Sequence, residues 1–64
     1  MPKYNQDMGD ILKALFSGRT IFCPSAHDMN KVLYRAGENG GIVPDGRHVK
    51  VIALGNDHFD VSLV

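Results

Sequence analysis

Residues 20–37 read TIFCPSAHDMNKVLYRAG, and the fold follows from them. Ile21, Phe22 and Cys23 form a short apolar run, and β-branched Thr20 and Ile21 favour a pleated backbone. Such a run also suits a buried helix. Pro24 decides for a strand, because it biases Cys23 toward an extended conformation. Ser25 is placed to cap a helix, its hydroxyl accepting from free N–H groups of the first turn. Asp28, three positions on, completes a variant capping box, and its charge suits the positive helix end. Ala26, Met29, Val32, Leu33 and Ala36 recur at helical spacing as one apolar stripe. Gly37 supplies a left-handed C-cap, with cationic Arg35 in the last turn.

The flanking segments are placed by how they cover this unit. N-terminal to it, Asp7–Ser17 reads as a first helix with Asp7 as N-cap. Met8, Ile11, Leu12, Leu15 and Phe16 fall at i, i+3, i+4, i+7 and i+8, the spacing of a core-facing helix. Tyr4 lies one turn earlier, in position to extend the stripe, and Met1–Gln6 is expected to fray. Gly9 lowers helicity while permitting close packing, and Gly18 ends the helix.

C-terminal to the central unit, Glu38-Asn39-Gly40-Gly41 is loop by composition. Ile42 and Val43 are expected to pair briefly, and Pro44-Asp45-Gly46 is a turn. Arg47–Leu54 alternates, Val49, Val51 and Ala53 facing one way and His48, Lys50, Ile52 and Leu54 the other. Gly55-Asn56-Asp57 reads as a short hairpin connection. His58–Val64 alternates again, Phe59, Val61 and Leu63 against His58, Asp60, Ser62 and Val64.

The expected fold is therefore α+β, in the order α-β-α-β-β. Two helices pack on one face of a small three-stranded mixed sheet, in two layers. If the strands around the second helix are parallel neighbours, their crossover is right-handed. Val49, Val51, Ala53, Phe59, Val61 and Leu63 would meet the helices. Ile52, Leu54 and Val64, with Phe22, would lie on the uncovered face and serve self-association, since an exposed apolar face or free edge calls for a partner.

Size and charge narrow the functional classes. Residues 1–64 form one domain, 44% hydrophobic, which argues for a folded unit. A chain this short buries only about 60% of its unfolded surface and often leans on disulfides, metal or a second subunit. The single cysteine excludes an internal disulfide. No secretory signal and no apolar run of about 20 residues is present, so a cytoplasmic protein is expected with no membrane contact.

Seven basic and seven acidic side chains cancel, which argues against strong nonspecific nucleic-acid binding. The excess is +2 over residues 1–36 and −2 over residues 37–64, a mild asymmetry that suits pairing of two copies.

Cys23 stands where a strand feeds a helix N-terminus, a position that stabilises thiolates. The stretch FCPSA resembles the strand–Cys-Pro–helix start of glutaredoxins, but Ala26 stands where that family carries its second Cys or Ser. The chain is also too short for that whole fold. A plain buried cysteine is the reading.

Cys23 and His27 are four apart, and His48 and His58 fall on adjacent strands. No CxxC or HxxxH pair exists, so no metal is expected. Gly40, Gly41 and Gly46 precede turns rather than a helix and form no phosphate loop, so no cofactor is expected. Asp57 and Asp60 around His58 read as edge-strand polarity. No catalytic set emerges, and the chain is expected not to be an enzyme.

The polar side of the second helix is more suggestive. His27, Lys31, Tyr34 and Arg35 follow i, i+4, i+7 and i+8 and share one exposed side. Such a stripe suits a protein contact, where Tyr and Arg are common anchors. It also suits phosphates and a stacked base, together with Arg19 and Lys50, in a nucleic-acid-binding module. An ordinary solvated helix face has the same pattern.

The layout, with DILKALFSGRTIF leading to a single helix and a hairpin, resembles small accessory proteins encoded by bacteriophages. That resemblance implies a non-enzymatic protein in the host cytoplasm. Its partner would be a host protein or nucleoprotein complex that it modulates or inhibits.

Overall fold

The computed structural model describes residues 7–64; the expectations for Tyr4 and for fraying of Met1–Gln6 lie outside that range. The elements are α1 (Met8–Phe16), β1 (Ile21–Cys23), α2 (Ala26–Arg35), β2 (Val49–Gly55) and β3 (His58–Leu63). Their order and the two-layer α+β design are as expected.

Local signals set the helix ends. The Ser25 hydroxyl accepts from the Asp28 N–H at 3.1 Å and donates to the Asp28 carboxylate at 3.0 Å, starting α2. Asp7 occupies the N-cap position of α1, but its side chain makes no capping hydrogen bond. Both helices end in the same motif. The Gly18 N–H donates to the Leu15 carbonyl and the Arg19 N–H to the Ala14 carbonyl; in α2, Gly37 donates to Tyr34 and Glu38 to Leu33. Gly18 and Gly37 have φ of 95° and 80°, the left-handed values this ending requires.

The sheet departs from expectation in its pairing. Its order is β1-β3-β2, and β3 runs antiparallel to both neighbours, so the sheet is antiparallel rather than mixed. β1 and β2 do run parallel, but β3 lies between them. The turn at Asn56-Asp57 explains β2–β3 locally: φ of 54° and 64° at both positions is the primed turn that matches strand twist. β1 then joins the far side of β3, pairing Ile21 with Val61 and Cys23 with Phe59.

The core forms where α1 and α2 cover β1 and β3. Ile11, Leu15, Val32, Ala36, Ile21, Cys23, Val61 and Leu63 are buried there. Val43, from the loop after α2, joins them at 2% exposure. That loop is ordered by its own bonds: the Glu38 carboxylate accepts from the Gly41 N–H at 2.6 Å. Ile42 bridges to His48 with Val43 donating to the Arg47 carbonyl, the brief pairing expected of residues 42–43.

The second departure concerns β2. Both helices lie over β1 and β3, and neither backbone approaches β2. Val49 still packs against the core. Val51 and Ala53 have the expected facing but are exposed, because among the described residues neither helix reaches over β2.

Candidate functional site

Cys23 is fully buried in the core, closed to solvent and therefore to thiol substrates. His48 and His58 are on adjacent strands but at opposite ends: the backbone of His48 bonds with that of Val64, while His58 pairs with Gly55. Six strand steps at about 3.3 Å put them on the order of 20 Å apart. Among the described residues no three His, Cys, Asp or Glu side chains gather as a metal site would require. A shallow open groove of about 280 Å³ runs along Asp10, Lys13, Ala14, Ser17 and Arg19 at the end of α1.

α2 presents the predicted stripe. Its inward side carries buried Val32 and Ala36 with half-buried Met29 and Leu33. His27, Lys31, Tyr34 and Arg35 are all exposed on the opposite side, Tyr34 at 82%. An aromatic ring standing that far into water on a regular helix contributes nothing to the core. It is the kind of residue that anchors interfaces.

The cations do not assemble into one basic surface. Lys50 pairs in register with Ser62 and alternates with core-facing Val49, so it lies on the sheet face away from α2. Arg19 borders the α1 groove. Arg47 is engaged internally: its guanidinium meets the Asp45 carboxylate at 2.7 Å and the Phe16 carbonyl at 3.0 Å, and stands 5.6 Å from the Phe16 ring. The Asp45 carboxyl is held below its ordinary range, first by the hydrogen bond from the Arg47 side chain and then by that from its backbone N–H. No family model, curated protein or solved structure matches the chain.

The sheet's uncovered face holds Phe22, Ile52 and Val64 at 46%, 46% and 65% exposure. Phe22 and Ile52 flank Asp60 on the same row, and the Phe22 ring meets His58 edge-on at 5.3 Å. Leu54, expected on this face, is the extra residue of a β-bulge between Ala53 and Gly55. The alternation that set its facing stops at Ala53; it is 49% exposed.

A free strand edge is expected from the sequence, but which strand carries it is not, and in the structure it is the outer edge of β2. His48 and Val64 exchange both backbone hydrogen bonds, so the strictly alternating pattern turns Val49, Val51 and Ala53 outward. The Val49 N–H donates to the Gly41 carbonyl at 2.8 Å. Among the described residues nothing meets the N–H and C=O groups of Val51 and Ala53.

Proposed function

We propose that this chain is a small non-enzymatic docking protein that binds a protein target through the outer side of α2. His27, Lys31, Tyr34 and Arg35 form the contact, with Tyr34 and Arg35 as anchors. The observation that carries the reading is the exposure of Tyr34 on a helix whose apolar stripe is already buried elsewhere. A protein partner suits this surface better than nucleic acid. The stripe has two full cations, the chain has zero net charge, and Lys50 lies on another face. The resemblance to phage accessory proteins supplies the target class: a host protein or nucleoprotein complex that docking would modulate or inhibit.

The test is capture on immobilised protein. Wild type retains a host component that the Tyr34→Ala/Arg35→Ala double variant does not, while both give the same far-UV circular dichroism. Equal retention by a folded double variant removes α2 from the proposal. Retention that collapses with moderate salt and is competed by an oligonucleotide would favour the nucleic-acid reading.

A further inference from the structure

The open edge of β2 has a shape that its own sequence fits. We infer that two copies of this chain pair antiparallel through β2, with Ile52 opposite Ile52 on the two-fold axis, to make one continuous six-stranded sheet. This goes beyond the α2 docking reading by giving the chain a self-association surface at a strand edge, and it is tested without any target.

Three features of the edge lead to that occupant and register. The vacancy is bounded on both sides. Residues 41–43 lie along the edge at positions 47–49, bonded through Val43 to Arg47 and Val49 to Gly41. The bulge between Ala53 and Gly55 ends regular strand at the other side. The open stretch is thus residues 50–54, and Ile52 is its midpoint.

Antiparallel pairing about Ile52 lays residues 50–54 of one copy against 54–50 of the other. Val51 then faces Ala53 of the second copy as a mutually hydrogen-bonded pair, and Ala53 faces its Val51. All four outward groups of each copy are met. Pairing about Val51 needs the Val49 N–H, already given to Gly41, and brings the second copy's Ala53 onto the place Gly41 occupies. Pairing about Ala53 sets Val51 against Gly55, whose backbone pairs with His58 in its own hairpin. In the Ile52 register the second copy's regular strand ends short of Gly41, and its Gly55, already past the bulge, meets Gly41 where the strands abut; neither carries a side chain.

The side chains agree with this register. Edge strands are usually guarded by charge or proline. Here Val51, Ile52, Ala53 and Leu54 carry neither. Lys50 is the single charged residue of β2 and would face Leu54, leaving the two lysines at opposite ends of the junction. On one face Ile52 would meet Ile52, close together as a non-hydrogen-bonded pair. On the other, the exposed Val51 and Ala53 side chains would cover each other. Neither helix overhangs β2 to obstruct this. A junction of five residues per copy falls at the small end of interfaces, so the dimer exchanges readily and forms with concentration.

Sedimentation equilibrium from about 10 μM to about 1 mM, a span that brackets weak association, reads the result. The weight-average mass is expected to rise from 7.0 kDa toward twice that value. Val51→Pro removes an outward N–H while sparing the β2–β3 ladder, and Ile52→Lys sets two like charges face to face; both are expected to stay monomeric. Oxidation of single-cysteine substitutions reads the register. Ile52→Cys is the one position opposite itself and should form a disulfide-linked dimer at least tenfold faster than Lys50→Cys, Val51→Cys or Ala53→Cys. Wild type that remains monomeric at about 1 mM overturns the inference, and so does cross-linking of equal rate at all four positions. Either result leaves the α2 capture assay to be judged separately.

Discussion

Gly37 stands where a helix ending and a proline ring compete for one position, and its replacement separates two costs. Gly37→Ala places a methyl on a backbone with φ of 80°, within 3.0 Å of Pro44 Cγ and 3.2 Å of its Cδ. Gly18→Ala makes the same backbone demand at φ of 95°, but its added methyl meets nothing within 4 Å. The left-handed conformation costs an L-residue about 1–2 kcal/mol. Part is offset by the less flexible unfolded chain, worth about 0.4–1 kcal/mol. Gly18→Ala should therefore destabilise by about 1 kcal/mol. At Gly37 the ring must shift as well, and overpacking of this kind adds about 1–3 kcal/mol.

The expected loss at Gly37 is then about 2–4 kcal/mol, against a total stability of roughly 3–10 kcal/mol for a domain this size. In urea, with a slope near 1 kcal/mol/M, the midpoint should fall by about 1 M for Gly18→Ala and about 2–4 M for Gly37→Ala. Adding Pro44→Ala to Gly37→Ala should recover the steric part. Equal losses at the two glycines, or no recovery, would refute the reasoning.

Other consequences are as direct. Because Arg47 lowers the folded-state pKa of Asp45, the stabilisation is complete above the ordinary aspartate value of about 3.9 and is lost as pH falls through the lower folded value. Melting temperature against pH should show a shallower acid limb in Asp45→Asn, and salt should shrink the difference. Ser25→Ala should cost about 1 kcal/mol through loss of the cap on α2. Asp7→Ala, whose side chain caps nothing, should change stability by no more than about 0.5 kcal/mol.

What could be read from the sequence was local. Ser25, Gly18 and Gly37 announce helix ends through backbone groups within a few residues, and Asn56-Asp57 announces a hairpin in the same way. The exposure of His27, Lys31, Tyr34 and Arg35 followed from helical spacing once Val32 and Ala36 were taken as inward. Strand order was not legible, because alternation reports which side a residue faces and not which strand lies beside it. Val51 and Ala53 face as their pattern says, yet they lie in water; coverage depends on helix length and placement. The Arg47 contact with Phe16 was not legible, since it joins residues distant in sequence. The β2 edge became visible only when hydrogen-bond phase was known.

The placement of β3 bears on how the chain matures. This strand is the middle member of the sheet and the last of the five elements along the polypeptide. While synthesis proceeds from residue 21 toward residue 57, β1 has no hydrogen-bonding neighbour, and β2 has only the short 41–43 segment along its rim. α1 and α2 meanwhile lack the Val61 and Leu63 side chains they close over. Cooperative structure must await residues 58–63, and a nascent chain halted before them should remain protease-sensitive along its whole length.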